Sequence, residues 1–304
     1  MEDTFTPEEQ AALKEFRVSI SDIVSTYDEY DSHDKNLIRW LRAKDLHVKK
    51  AEDMIRKQVK VREETEQLQY LPFPDDLLEK LPFRIAGYDK QGTMVTIIPA
   101  GIWEFKKLVL AGRNRDIQLY LSQIFERYFR YMKSTCTVET MKTQVVMIAD
   151  FHQFSIQENI SPPVLSFFIQ LLQLFDANCP EMMKTAYAIN VPKIFSVGWA
   201  LIYPFLSQRT LDKVRIIGGG PDKWRKVLLE DIDYRELPSD YGGSNTAHPY
   251  VLRKSFRRNM ASSRTILSPR RFSHCVHTSK GKIYKKLKTL SREPHILEFQ
   301  DRVL

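Results

Sequence analysis

The sequence predicts an α/β protein in which a small helical region precedes a domain with a mainly parallel β-sheet. Three observations support this organisation. Apolar residues recur at helical spacing in the first part of the chain, short apolar runs alternate with helical patterns in the middle, and the last part is basic. We therefore expect a helical region at 1–74, an α/β domain at 75–245 and a basic tail at 246–304.

The helical region begins with a capping-box pattern, in which Thr6 is followed by Glu9. A second pattern, DKNLIRWLRAKDLHVKKAEDMIRK, places apolar residues on two helical stripes that are separated by a turn at RAKDLH. Proline interrupts a helix, so the prolines of YLPFPDD mark the end of the region.

Short apolar runs in the middle of the chain predict the strands of the sheet. They are apolar on both faces, as is typical of parallel strands that are covered by helices on each side. The predicted strands lie in TMVTIIPAG, QVVMIAD, TAYAINV and KVRIIGG, and the helices that alternate with them lie in IQLYLSQIFERYFRYMK and PPVLSFFIQLLQLFDAN. This β–α–β alternation implies right-handed crossover connections.

One further helical pattern, NVPKIFSVGWALIYPFL at 190–206, contains a single charged residue, Lys193, and has no polar face. A helix that is apolar all round is normally buried or embedded in a membrane. The run is shorter than the roughly 20 residues that span a bilayer. Composition alone therefore favours a buried core helix.

The net charge of +8 is concentrated in the tail. Residues 246–304 contain 14 Lys and Arg against 3 Asp and Glu, a balance of +11, so the rest of the chain carries −3. Basic clusters such as RKSFRR, interspersed with apolar residues, favour transient contact with an anionic membrane surface. RNA binding is an alternative, but the sequence has no RNA-recognition signature, and we expect no nucleic-acid partner. A solvated segment without a binding role is the third interpretation.

The three cysteines, Cys136, Cys179 and Cys275, are odd in number and widely spaced, which argues against a disulfide framework and a zinc pattern. The first ten residues are acidic and have no apolar signal core. Together these features predict a cytoplasmic protein with reduced thiols.

No motif predicts an enzyme. GGGPDK at 218–223 has neither the P-loop nor the dinucleotide-binding spacing. Asp150 and His152 follow a predicted strand, but no nucleophile is placed beside them, so a structural carboxylate is the preferred interpretation. HCVH at 274–277 lacks the second ligand pair of a metal site. We expect no catalytic residue, no metal and no cofactor.

Three segments resemble the CRAL-TRIO family of lipid-binding proteins. LIRWLRAKDLHVKKAEDMIRK is similar to the N-terminal helical signature of the family, residues 178–219 are similar to its strand, gate helix and following strand, and LPSDYGGSN is similar to the segment that closes the domain. The resemblance extends from Thr6 to Asn245.

Within the family, the chain resembles the yeast phosphatidylinositol-transfer-protein-like members, and most of all the animal supernatant protein factor and tocopherol-associated proteins. SREPHILEFQDRVL in the tail resembles the first strands of a Golgi-dynamics domain, and at most a fragment of that domain is expected there.

The resemblance implies a monomeric protein without enzymatic activity that holds one hydrophobic lipid in a closed pocket and exchanges it at membranes. The lipid is phosphatidylinositol or an apolar isoprenoid such as a tocopherol, squalene or a retinoid. Two alternatives stay open. One is a regulator that presents lipid to phosphoinositide metabolism without net transfer, and the other, the least favoured, is a lipid hydrolase.

In this family the apolar run is a gate helix, with one face over the lipid and the other available to a membrane, so the resemblance overrides the core-helix interpretation. The implied gate residues are Phe195, Trp199, Ile202, Tyr203 and Phe205, and the implied pocket-wall residues are Val145, Met147, Phe167, Phe168, Leu171 and Phe175. Phosphatidylcholine-binding relatives carry hydroxyl residues at the positions of Val145 and Met147. The apolar residues found here argue against phosphatidylcholine or for a more apolar ligand.

Relatives that bind phosphatidylinositol hold its headgroup with four polar side chains. The matching positions in this sequence are Lys44, Glu181, Thr210 and Lys213. The chemistry is suitable because inositol hydroxyls donate to a carboxylate, while a phosphate accepts from ammonium and hydroxyl groups. Lys44 stands where relatives have arginine, so a forked contact becomes a point charge.

Overall fold

The computed structural model describes residues 5–246 apart from residues 66, 67, 69 and 194. Residues 247–304, which form nearly all of the predicted basic tail and include HCVH and SREPHILEFQDRVL, lie outside the described residues. The predicted boundaries at 74 and 245 stay predictions.

The N-terminal region is helical, as predicted. Its helices are α1 (Pro7–Ser19), α2 (Ser21–Val24), α3 (Glu29–Ser32), α4 (Asp34–Arg42) and α5 (Val48–Thr65). The capping box is confirmed, since Glu9 N donates to Thr6 Oγ1 at 3.2 Å and Thr6 N donates to the Glu9 carboxylate at 3.1 Å. Phe16, Leu41 and Ile55, one each from α1, α4 and α5, are fully buried in a common apolar cluster.

The rest of the described chain alternates strands and helices. The strands are β1 (Arg84–Tyr88), β2 (Met94–Ile98), β3 (Val145–Asp150), β4 (Met183–Ile189) and β5 (Val214–Ile216). The helices are α6 (Asp75–Lys80), α7 (Phe105–Leu110), α8 (Asn114–Thr135), α9 (Ile156–Asn159), α10 (Pro162–Asn178), α11 (Phe195–Ile202), α12 (Gln208–Leu211) and α13 (Pro221–Asp231). The strand order is β1-β2-β3-β4-β5, with β1 antiparallel to β2 and the other pairs parallel. The predicted α/β fold with a mainly parallel sheet is confirmed.

Strand β1 is an addition to the strands that the sequence predicts. Its residues, RIAGY, form no apolar run. The strand lies at the edge of the sheet and only Ala86 is buried, so the other positions do not have to be apolar. Its pairing with β2 is irregular between Ile85 and Gly87. A Cβ at Gly87 would lie 2.6 Å from the carbonyl oxygen of Glu236, so the close approach of these two backbones requires glycine.

The central strand β3 buries both of its faces, as its apolar sequence predicts. Val145 and Met147 face a cluster that includes side chains of α7, α8 and α10. Val146 and Ile148 face a second cluster, which includes side chains of α13. Helices on both sides of the sheet therefore enclose two cores, one against each face of the strands.

The last residue of β3, Asp150, joins three segments at the carboxyl edge of the sheet. Its Oδ1 atom accepts hydrogen bonds from His152 N at 2.9 Å and from Asn190 Nδ2 at 2.8 Å, and its Oδ2 atom accepts from Tyr241 OH at 2.8 Å. The Asn190 amide oxygen in turn accepts from the indole N–H of Trp224 at 2.9 Å. Asp150 thus fixes the start of the segment that leads to α11.

The apolar run at 190–206 forms the short helix α11 and a 3₁₀ turn at Tyr203–Phe205 rather than one continuous helix. Pro204 interrupts it, because proline has no N–H with which to extend α11. Leu201 packs against Leu165 of α10, whereas 49% of Tyr203 is exposed. The segment is only partly buried, which disfavours a core helix. Among the described helices, none combines the length and the apolar character needed to cross a bilayer.

Replacing Asp150 with alanine removes a carboxylate that accepts three hydrogen bonds. Because the Asn190 amide and the Tyr241 hydroxyl then lose their partner, we expect Asp150→Ala to lower the free energy of unfolding by about 2–4 kcal/mol. Urea titration followed by circular dichroism measures the difference. The control is Asp222→Ala, which removes an exposed carboxylate from the first turn of α13 and should cost less than about 1 kcal/mol. Equal losses in the two variants would show that Asp150 is not an anchor.

Candidate functional site

A cavity of about 340 Å³ lies where the N-terminal helical region meets the α/β domain. One wall comes from the α4–α5 turn at residues 43–45. A second wall comes from the end of α10 and the turn that follows it, within residues 175–183. A third comes from α12 and its flanking residues, within 207–213.

All four predicted headgroup residues line this cavity: Lys44, Glu181, Thr210 and Lys213. They come from three segments that are separate in sequence, and the fold places Lys44 of the α4–α5 turn in the same cavity as the other three residues. The Nζ atom of Lys213 donates to Glu181 Oε2 at 2.5 Å, and both side chains are largely shielded from solvent. Their role in binding a headgroup stays a prediction.

Glu181 has an unusual backbone conformation, with a φ angle of +56°. This left-handed region is disfavoured for residues with a Cβ and costs of order 1–3 kcal/mol. The turn is held in part by Gln144, whose Nε2 atom donates to the Glu181 carbonyl oxygen at 3.1 Å. The conformation follows Pro180 and directs the carboxylate to Lys213. Strain of this kind is characteristic of functional sites.

Thr210 and Lys44 contribute in different ways. Ser207 caps α12, since Thr210 N donates to Ser207 Oγ at 3.1 Å, and the two hydroxyl groups lie 2.8 Å apart. Lys44, in contrast, makes no ion pair or side-chain hydrogen bond with any residue that the structure describes. Its ammonium group therefore keeps three donors for a ligand.

Asp176 also lines the cavity and was missed by reasoning from the sequence. The sequence does distinguish it, because Asp176 is the single charged residue of α10 and the other residues of that helix are apolar or uncharged. Burial raises the pKa of the Asp176 carboxyl above its usual value, and the charge of Glu181 raises it further, while Lys213 and Lys44 oppose the shift. Within the described chain Asp176 makes no side-chain hydrogen bond or ion pair.

An ion pair at the edge of the cavity joins α12 to the α4–α5 turn. Arg209 Nη2 lies 2.8 Å from Asp45 Oδ1, and both side chains are substantially exposed. Exposed pairs contribute about 0–1 kcal/mol, so this contact adds little to the stability of the fold. The pair nevertheless connects α12, which follows the α11 segment, to the N-terminal helical region.

The predicted pocket-wall residues divide into two groups. Val145 and Phe167 are buried within the first core cluster, and Met147, Phe168 and Leu171 pack against that cluster. Phe175 packs there too, and it also lines the cavity. Phe175 thus connects the polar cavity to the apolar side of α10. The assignment of all six side chains to a lipid pocket stays a prediction.

The predicted gate residues make two sets of contacts. The ring of Phe195 lies 4.7 Å from that of Phe151 and stacks on Trp199 at 6.3 Å, measured between centroids. Ile202 and Phe205 pack against a small cluster that is separate from the two main cores. Aromatic and aliphatic packing thus holds the described part of the gate, and its function as a gate stays a prediction.

The described residues offer neither a metal site nor a reactive thiol in the cavity. They contain no group of three or more His, Cys, Asp or Glu side chains that could hold a metal ion. Cys179 lines the cavity, but burial raises the pKa of its thiol to about 12, so it is a neutral, weakly reactive thiol.

Comparison with known protein families decides the classification. A model of the CRAL/TRIO domain matches residues 78–243, which is more than half of the chain. The chain belongs to the CRAL/TRIO domain family. The predicted family is thereby confirmed, whereas the finer similarity to the tocopherol-associated proteins stays a prediction.

Two relatives show how far the similarity extends. The CRAL-TRIO domain-containing protein T23G5.2 of Caenorhabditis elegans is 26% identical over 216 residues, which are 70% of this chain and 30% of that protein. The phosphatidylinositol/phosphatidylcholine transfer protein SFH12 of Arabidopsis thaliana is 26% identical over 255 residues, or 81% of this chain and 46% of that protein. The chain spans less than half the length of either relative.

The crystal structure of Sfh5 has the same fold as this CRAL/TRIO protein. The TM-score is 0.64 at 16% sequence identity, and the match covers 81% of this chain and 90% of the other. The match includes most of the described residues.

The raised pKa of Asp176 predicts a pH-dependent cost of folding. At neutral pH the folded protein holds a partly buried charge that the unfolded chain exposes to water. We expect lipid-free Asp176→Asn to be more stable than the wild type at pH 7. The advantage should shrink as the pH falls through the raised pKa and should vanish below 3.8, the usual value for aspartate, where both states of the wild type are protonated.

Guanidinium titrations of the two proteins at pH 7 and near pH 4 measure this difference. Comparing the variants at each pH cancels the titration of the other carboxylates. A variant that is less stable than the wild type at pH 7 would contradict the assignment of a partly buried charge that the nearby lysines compensate only in part.

Proposed function

We propose that this CRAL/TRIO protein binds a phospholipid with an inositol headgroup and exchanges it at membranes, without catalysing a reaction. One observation carries the proposal: Lys44, Glu181, Thr210 and Lys213 line a single cavity, although they come from distant parts of the chain. The cavity volume of about 340 Å³ lies within the range of roughly 300–1,000 Å³ that small-molecule sites occupy.

The polar groups suit a phosphate and a ring of hydroxyls. The Lys213 ammonium is oriented by Glu181 and keeps two of its three donors for a phosphate. The second carboxylate oxygen of Glu181 can accept from a hydroxyl. Lys44 provides a further ammonium and Thr210 a hydroxyl. Charge-assisted hydrogen bonds of this type are about twice as strong as neutral ones.

The apolar part of the lipid has a route away from the cavity. Phe175 belongs both to the cavity wall and to the apolar side of α10, which continues through Leu171 and Phe168. We infer that the acyl chains extend along this side of α10. Helix α11 with Trp199, and the exposed Tyr203 in the 3₁₀ turn that follows it, would then contact the bilayer during exchange.

The name of one relative supports this proposal. The name of SFH12 describes a phosphatidylinositol/phosphatidylcholine transfer protein. Because the chain spans 46% of that protein, a transfer activity of the whole relative is a proposal for this chain. An apolar isoprenoid would make no use of the charges in the cavity, so an inositol phospholipid is the preferred ligand. Presentation of lipid without net transfer is an outcome that the experiments below detect.

Replacing Lys213 and Glu181 together by alanine tests the headgroup site. The double variant removes a phosphate donor and a hydroxyl acceptor without leaving an unpaired partner. At about 1.5–3 kcal/mol for a hydrogen bond to a charged group, we expect phosphatidylinositol exchange between vesicles to fall by about tenfold or more. Binding of a neutral apolar ligand such as a tocopherol should be much less affected.

The matched control removes an exposed ion pair elsewhere, Lys49→Ala with Asp53→Ala. This variant should exchange lipid like the wild type. If the site variant loses both ligands equally, the residues maintain the fold rather than the headgroup contact. If phosphatidylinositol binds tightly but no net transfer is seen, the protein presents lipid and does not carry it.

Gate and tail should respond differently to salt. Charge attraction is screened within about 8 Å at physiological ionic strength, whereas apolar insertion is not. Deleting residues 246–304 should therefore weaken binding to anionic vesicles and flatten its salt dependence. Trp199→Ala should slow exchange on anionic and neutral vesicles alike and leave the salt slope unchanged. Vesicle co-sedimentation and lipid transfer across a salt series measure both effects. A truncated protein that keeps the full salt slope would exclude the tail as the attracting element.

A further inference from the structure

The charged side chains that line the cavity can be divided into pairs and single charges. The wall contains three cationic and three anionic side chains: Lys44, Arg209 and Lys213, and Asp45, Asp176 and Glu181. Lys213 pairs with Glu181 at 2.5 Å, and Arg209 pairs with Asp45 at 2.8 Å. One cation and one anion are left, Lys44 and Asp176, and neither has an ion-pair partner among the described residues.

Resting on the proposed inositol-phospholipid function, we propose that Asp176 determines headgroup specificity in this cavity. It accepts hydrogen bonds from ring hydroxyls and excludes headgroups that carry a further phosphate. The site is thereby limited to a single phosphate, which pairs with Lys44 and Lys213, attached to an uncharged polyol.

The position of Asp176 favours a ligand as its partner. It is the single charged residue of a helix whose other residues are apolar or neutral, and it lies at the end of that helix, in the cavity. A carboxylate that is partly withdrawn from water and has no hydrogen-bond partner loses some of its solvation. The burial that raises its pKa is the sign of this loss. A polar group left uncompensated within a cavity is typical of a binding site.

The chemistry of the wall indicates which group Asp176 binds. A carboxylate accepts hydrogen bonds, so its partner must be a hydroxyl or an N–H group. A quaternary ammonium has neither and is normally recognised by several aromatic rings, whereas Phe175 is the one aromatic side chain among the residues that line this cavity. The hydroxyls of a polyol are therefore the preferred partner.

The charge balance indicates what Asp176 excludes. The six charged side chains sum to zero, so one phosphate already makes the occupied cavity negative. A second phosphate on the ring would approach the Asp176 carboxylate, while Lys44 is the one cation of the wall without an ion-pair partner in the described chain. Unfavourable contacts with the wrong ligand are a general source of specificity.

The test compares vesicles that contain phosphatidylinositol with vesicles that contain phosphatidylinositol 4-phosphate, in a phosphatidylcholine background. We expect the wild-type chain to exchange the first lipid at least about tenfold faster, a difference of about 1.4 kcal/mol. Asp176→Asn should exchange phosphatidylinositol a few-fold more slowly and the phosphorylated lipid faster, so that the preference nearly disappears. Asp176→Glu keeps the charge and should keep the preference.

The control is Asp222→Asn, which removes an exposed negative charge from the first turn of α13, away from the residues that line the cavity. It should retain the preference of the wild type. An unchanged preference in folded Asp176→Asn would overturn the proposal, and so would a wild type that exchanges both lipids at equal rates. Vesicles that contain phosphatidylethanolamine give a further comparison. A wild type that prefers this lipid, with the preference lost in Asp176→Asn, would also overturn the proposal, because an ammonium would then be the partner of Asp176.

The wild-type result separates the two hypotheses. Exchange of phosphatidylinositol without discrimination against the phosphorylated lipid would leave the proposed function intact and would refute the specificity role of Asp176. Absence of exchange and binding for both lipids would refute the proposed function, and the specificity role with it.

Discussion

The fold depends on the need of the central strand β3 to bury both of its faces. Val145 and Met147 face one core, and Val146 and Ile148 face the other, so the sheet must have helices on each side. Parallel neighbours then require crossover connections, which bring the carboxyl ends of β3 and β4 to one edge. At that edge Asp150 binds Asn190, and the chain passes from there into α11. The position of the proposed gate is thus a consequence of how the sheet is covered.

Stability is distributed unevenly between the sheet and the gate. The two large clusters hold the strands, whereas α11 packs on a small cluster formed by Leu165, Ile169 and Leu201. Segments with few buried contacts open at lower free energy than the core, and mobile lids are drawn from them. The firm anchor at Asp150 and the weak contacts beyond it are the arrangement that a hinged segment needs. Pro204 prevents α11 from continuing, so the helix has only about two turns, and a short 3₁₀ turn follows it.

The cavity concentrates features that oppose stability. Glu181 has a left-handed backbone, and Asp176 carries a partly buried charge without a partner in the described chain. Both features lie where the N-terminal region contacts the α/β domain. Lys133 of α8 also joins the two parts, since it donates to Asp28 at 2.8 Å and to Asp31 at 2.5 Å. A rigid frame can maintain local strain at a binding site, and a bound ligand offsets its cost.

The sequence by itself determined the helical region, the capping box at Thr6 and the parallel strands, and its resemblance to a family named the candidate residues of the proposed headgroup site. These depend on local periodicity, end signals and a family pattern, all of which can be read along the chain. The edge strand β1 left no such signal, because an exposed, bulged strand has no apolar alternation. Only the tertiary structure decided that Lys44 lies in one cavity with Lys213, that Glu181 pairs with that lysine, and that Asp176 has no ion-pair partner among the described residues. Pairing and burial of charges depend on residues that are distant in sequence, so no local pattern encodes them.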